Sequence, residues 1–201
     1  MEPAGVIRAL AVAGALLLAA AAAGCGGTKT VTVTETQTTT RTVTSPQATG
    51  TGAGAADSPC AGSALSGTFK VVPGSAGAGQ ISYVLTLTNT SQSGCYVTGI
   101  PVVQLLDASG SQLPTQVSPA RPGVATSAKI SLAPGAAADA EARFSPDVPG
   151  QGDQQSGRCQ PTASTLQVTA TGGGTVNAPI DPPTSVCEQG SLSFDVLSTG
   201  R

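Results

Sequence analysis

The residues best equipped for chemistry in this chain are its five cysteines, Cys25, Cys60, Cys95, Cys159 and Cys187. A four-thiolate zinc site draws its ligands from close Cys-x-x-Cys pairs, and the chain has none, so the last four are read as disulfide partners. Four cysteines allow three connectivities. Pairing in sequence order, Cys60 with Cys95 and Cys159 with Cys187, closes two modest loops, each contributing roughly 3 to 4 kcal/mol by the loop-entropy argument. A Cys60 to Cys187 crosslink would refute that order. Histidine is absent and the one methionine is Met1, which excludes Ser-His-Asp and Cys-His nucleophiles, imidazole-ligated metals and a thioether copper site.

The carboxylates offer less. Asp107-Ala108-Ser109-Gly110 lacks the alternating carboxylates of a calcium loop and reads as a hairpin turn capped by its own side chain. Asp139 and Glu141 stand two apart, but they share a solvated face with Arg143, whereas a glycosidase pair faces each other across a cleft. Asn89-Thr90-Ser91 is formally a glycosylation sequon and reads more simply as a turn. Gly172 to Gly174 lacks the Lys-Ser/Thr that a phosphate loop requires and reads as a hairpin. The expectation is a protein that is not an enzyme, with no catalytic residues, no cofactor and no metal.

Composition agrees. Charged residues make up 10% of the 201, net charge is −2, aromatics are 2% and tryptophan is absent. No basic patch exists for nucleic acid, and few rings exist on which sugars or bases could stack. Abundant glycine (26) and proline (15) point to turns and short strands.

Residues 1–24 read as a signal peptide: Arg8 precedes the apolar run ALAVAGALLLAAAAAG, too short for a comfortable membrane span. The run ends in Ala22-Ala23-Gly24-Cys25, which resembles the bacterial lipobox, although Ala22 stands where leucine is usual. Lipidation of Cys25, by diacylglycerol and palmitate, also accounts for the odd cysteine. The expected location is therefore the outer face of the cytoplasmic membrane, or the medium if Cys25 is not lipidated. Residues 25–59 are Thr-rich, with little bulk to bury, and read as a disordered tether, roughly 30 Å in r.m.s. length, open to O-linked sugars.

Residues 60–201 read as one domain, of a size that can bury about two-thirds of its surface. Ile81, Tyr83, Leu85 and Leu87 alternate with Ser82, Val84, Thr86 and Thr88 in the clearest strand, and Cys95 to Gly99 returns after a polar turn. Leu65 to Val72, Val102 to Leu106, Leu113 to Val117 and Lys129 to Ala133 are further strands, with Val102 to Leu106 apolar enough to be central. Ala138 to Phe144 alternates alanine with charge at period 2, favouring strand over helix. Leu166, Val168 and Ala170 pair across the triple glycine with Val176, Ala178 and Ile180, and Leu192, Phe194 and Val196 face inward on a last strand. About 8–10 short strands and no long helix predict an all-β, antiparallel, immunoglobulin-like β-sandwich.

Cys60, LTNTS at Leu87 to Ser91, Cys95 followed by Gly99-Ile100-Pro101, LLDASG at Leu105 to Gly110, and Leu132-Ala133-Pro134-Gly135 together resemble an actinobacterial family of exported proteins known as domain of unknown function 4232. Where this chain has Ile100, that family often has an aromatic. The resemblance implies an exported, frequently lipid-anchored β-sandwich and brings no catalytic residues. The expected function is a non-catalytic interaction module of the cell envelope, whose partner is an envelope protein or wall component. The alternative is a small-ligand-binding lipoprotein. Its binding surface is expected in the loops Ser118 to Thr126 and Ser145 to Gly157, and Ile81 to Asp107 is expected to be purely structural.

Overall fold

A computed structural model of the chain describes residues 58–124, 126 and 128–200. The signal segment, Cys25 and nearly all of the tether lie outside them. Eleven strands occur among the described residues: β1 (Leu65–Val71), β2 (Ile81–Asn89), β3 (Cys95–Thr98), β4 (Val102–Leu106), β5 (Gln116–Pro119), β6 (Lys129–Leu132), β7 (Ala137–Phe144), β8 (Thr162–Thr169), β9 (Thr175–Ser185), β10 (Ser191–Phe194) and β11 (Ser198–Thr199).

The large sheet has the order β4-β8-β9-β1-β2-β7-β10-β5, with β11 added to β7, and β3 and β6 form a separate pair. Its centre is the β2–β7 ladder, where Tyr83, Leu85 and Leu87 lie opposite Ala142, Ala140 and Ala138. Large side chains on one strand face alanines on the next, which leaves room for a packed layer above them. All six of those side chains are buried.

That layer holds four of the chain's five aromatic residues. Phe69 lies 5.1 Å from Tyr83 and 6.2 Å from Phe194, and Tyr83 lies 5.2 Å from Phe144, centroid to centroid. Phe69 on β1 and Phe194 on β10 are three ladders apart, about 14 Å in a flat sheet. Rings 6.2 Å apart across that span require a strongly curled sheet. The curl carries the two ends of the sheet toward each other. There the Leu105 N–H donates to Thr115 Oγ1 (3.0 Å) and Leu113 N–H to the Leu105 carbonyl (2.9 Å), so the mixed sheet nearly closes into a barrel.

Several expectations are corrected. Two ladders are parallel, β1 with β9 and β5 with β10, where antiparallel pairing throughout was expected. Both arise where a segment distant in sequence fills in beside a strand instead of returning through a hairpin. The turn after β2 does not make a hairpin with β3: β3 pairs with β6, Cys95 opposite Leu132. Asn89 diverts it, because its buried Nδ2 donates to both the Ser93 carbonyl (2.8 Å) and the Leu132 carbonyl (2.9 Å). β4 lies at an end of the sheet and not at its centre, with Val102 65% exposed. The strand expected over Leu113 to Val117 starts later, at Gln116. Leu197, not Val196, enters the core beyond Phe194, because β10 stops at Phe194 and the chain changes phase.

Candidate functional site

The two disulfides fix the frame. Cys60–Cys95 (Cα–Cα 4.9 Å) and Cys159–Cys187 (5.4 Å) are the pairs in sequence order. The first ties the start of the domain to β3, and the β8–β9 hairpin clasps it further: Gly172 N–H donates to the Cys60 carbonyl (2.7 Å) and Gly62 N–H to the Gly173 carbonyl (2.9 Å). Glycine is required at 172, since a Cβ there would stand 2.6 Å from the Pro59 carbonyl oxygen.

The second disulfide joins a loop to a left-handed turn. Glu188 (φ 55°) and Gln189 (φ 56°) precede Gly190 (φ 75°), and side chains disfavour that region. Asp153 holds the turn in place. Its carboxylate accepts from the N–H groups of Gly150 (2.9 Å), Gln189 (2.9 Å) and Glu188, and from the amides of Gln160 (2.7 Å) and Gln189 (3.1 Å). Burial pushes the Asp153 carboxyl up, but the bonds from Gln160, Gln189, Gly150 and Glu188 outweigh it and hold it well below the usual carboxylate range. Asp153, Cys159 and Cys187 lie close enough together to suggest a metal cluster, yet both sulfurs are spent in the disulfide and the carboxylate serves the turn.

The carboxylates read from sequence fall into two places. Asp107 caps its own turn, its Oδ1 accepting from Ser109 N–H (2.8 Å), Ser109 Oγ (2.7 Å) and Ser111 N–H (2.9 Å). Those bonds, the Ser109 hydroxyl first, hold its pKa below the ordinary value. Asp139 and Glu141 line an open groove of about 260 Å³ on the outer face of β7, with Arg121, Asp195, Val84 and Ser198. Asp139 Oδ1 accepts from Thr86 Oγ1 (2.7 Å), and Asp195 pairs with Arg121 (3.1 Å). Asn89 of the sequon is fully buried, its amide used inside the fold.

The distinctive surface lies where the barrel fails to close. Ile100, Pro101, Val102 and Val103 face Val117, Ser118 and Pro119 across an open cleft of about 450 Å³. Val102 (65%), Val124 (41%) and Val117 (39%) are three of the four large apolar side chains the described domain exposes. A separate small pocket shares Ile100 and Pro119 with this cleft and Arg121, Asp195 and Val196 with the charged groove, and Val124 lines it too. A second open apolar cleft, about 250 Å³, lies on the other side of Pro101, lined by Leu65, Leu87, Val97, Val168 and Leu197 among others.

Of the two loops expected to bind, Ser118 to Thr126 supplies one wall of this surface. The other, Ser145 to Gly157, is committed to internal bonds through Ser145 and Asp153. Ile100 to Val103, expected to be structural, forms the opposite wall. A sequence signal existed only in hindsight: Gly99-Ile100-Pro101 interrupts the strand pattern just before two consecutive valines. Among the described residues no helix is long and apolar enough to cross a membrane.

Residues 60–198 match a family model whose description is Domain of unknown function (DUF4232). No curated protein and no solved structure matches the chain.

Proposed function

The chain belongs to that family, and with the family's function open we propose that this member is a non-catalytic interaction module, displayed on the outer face of the cytoplasmic membrane by a lipid on Cys25. One observation carries the reading. Among the described residues of a domain with few aromatics, two of the four exposed valines, Val102 and Val117, line the cleft between Ile100–Val103 and Val117–Pro119, with a third, Val124, on the small pocket beside it, and exposed apolar surface gathered in this way marks contact with a partner. The immunoglobulin-like sandwich is part of the same proposal, supported by the way the curl folds the sheet's inner face on itself, so that Phe69 of β1 and Phe194 of β10 meet across it. The non-catalytic part is supported by the use made of the carboxylates: Asp107 and Asp153 serve turns, and Asp195 serves Arg121.

The test is photocrosslinking in the native envelope from a reactive side chain at Val102 or Val117, with Val148, an exposed valine outside this cleft, as control. Protein or wall adducts from the first two and not from the third support the reading. Equal yields from all three, or none, refute it. Incorporation of labelled palmitate, lost in Cys25→Ser, tests the anchor. The smaller cleft beside Leu197 favours a second reading, a binder of a small apolar molecule, but its 250 Å³ falls below the usual size of such sites.

A further inference from the structure

At the seam where the barrel stays open, the wall made by β5 is held by very little of its own. All four side chains of β5 are exposed, and among the described residues its one ladder is the parallel one to β10, from Gln116 opposite Ser191 to Pro119 opposite Phe194. A strand that buries no side chain adds little to its own attachment, and such segments are the first to open. Its seat is fixed from outside. Just before β5, Thr115 Oγ1 accepts from the Leu105 N–H of β4 (3.0 Å), and Pro114 lies against Gly190, where a Cβ would stand 1.8 Å from the Pro114 carbonyl oxygen. Just after β5, Arg121 pairs with Asp195, a largely exposed ion pair of small worth.

Gly190 in turn closes the left-handed turn. Glu188 and Gln189 occupy backbone conformations that side chains disfavour, and such conformations last only while their surroundings impose them. The contacts that impose them are the Asp153 carboxylate on the N–H groups of Glu188 and Gln189, the Cys187 N–H on the Ser145 carbonyl (2.9 Å), and the Cys159–Cys187 bond. Released from these, residues 188 and 189 return to ordinary backbone regions and Gly190 moves off Pro114. β10 begins at the next residue, Ser191, so the β5–β10 ladder parts at the end where the turn seated it. We propose that β5 is a strap seated by this turn. While Asp153 and the disulfide hold residues 188–190, β5 stays on β10 and presents Val117 to the seam; when a holder is removed, β5 leaves a barrel that is otherwise folded. β10 stays behind because it is also laddered to β7 and buries Leu192 and Phe194. This goes beyond the interaction reading by naming what controls one wall of the surface, and only its consequence for a partner rests on that reading.

Backbone chemical shifts of the purified full-length protein test the strap without any partner, whereas crosslinking from Val102 and Val117 tests the surface. In Asp153→Asn, and in the double variant Cys159→Ser with Cys187→Ser, the shifts of 116–120 should move to unstructured values while β2 and β9 keep folded ones. The Ala120 N–H, which donates to the Phe194 carbonyl (2.8 Å), should lose its protection from exchange. The double variant Cys60→Ser with Cys95→Ser removes a crosslink of similar span, 35 residues against 28, away from the turn, and should leave 116–120 seated. The proposal fails where neither turn variant releases 116–120 while β2 stays folded. It fails equally where removing Cys60–Cys95 releases 116–120 with β2 intact.

Discussion

Replacing Asn89 with alanine should cost this domain a large share of its stability, although the residue touches no ligand. The side chain is fully buried and makes four hydrogen bonds: Nδ2 to the carbonyls of Ser93 and Leu132, and Oδ1 from the N–H and hydroxyl of Ser91. Ser93 keeps a second donor in Ser91 Oγ (2.9 Å). The buried Leu132 carbonyl loses its side-chain donor, a loss of about 1–3 kcal/mol, and freeing the Ser91 turn adds about 1 kcal/mol. A total of about 2–4 kcal/mol is a substantial part of the roughly 5–15 kcal/mol that holds a domain folded. It should lower the melting temperature by about 5–15 °C, given about 2–4 °C per kcal/mol at this size. Urea unfolding of the oxidised protein is the assay, read as a lower midpoint at unchanged slope. Asn89→Asp, which keeps the acceptor but offers no donor at neutral pH, should be at least as damaging. An alanine variant within about 0.5 kcal/mol of the parent, the range of an ordinary surface change, would refute the claim that this amide diverts β3 onto β6.

Other outcomes follow from the same geometry. Gly190→Ala should abolish folding, since its Cβ would stand 1.8 Å from the Pro114 carbonyl oxygen at a φ of 75°; secondary structure by circular dichroism checks this. Glu188→Gly should instead stabilise by about 0.5–1 kcal/mol, because glycine adopts the left-handed region without penalty, as a shift in urea midpoint would register. Asp153 is held below its unfolded pKa, so its contribution is fully present above about pH 4, the ordinary carboxyl value, and fades as pH falls further. Asp153→Asn should therefore lower the melting temperature at neutral pH and flatten its decline between about pH 4 and pH 2. Losing the Cys159–Cys187 crosslink, which spans 28 residues, should cost roughly 3.5 kcal/mol, measured on the double serine variant.

The sequence made the sheet interior readable and its borders much less so. β2, β7, β8 and β9 announce themselves because each buries one face, and a buried face imposes period 2. β4 reads as central for a related reason: VVQLL is an apolar run, and an apolar run looks alike in the middle of a sheet and at its edge. Which way a strand runs beside a distant neighbour is a property of the whole chain path, so the parallel ladders left no local mark. The diversion of β3 turns on a single buried amide, and nothing in Asn89-Thr90-Ser91 distinguishes it from an exposed turn. Asp153 was invisible in the same way, one carboxylate in a loop of Gly and Gln whose five donors come together only when Cys187 is brought near. The candidate surface was half legible. The loop from Ser118 could be flagged by its irregularity, whereas Val102 and Val117 look like core residues until their exposure is known.

The claim that the open seam is where this domain meets its partner is tested most directly by amide exchange of the segments 100–103 and 116–119, compared in the intact envelope and in the purified protein. Both segments should be slowed in the envelope, with 70–80 unchanged as an internal reference, and Val102→Glu should remove the difference. Equal exchange in both settings, or protection that survives Val102→Glu, would contradict it.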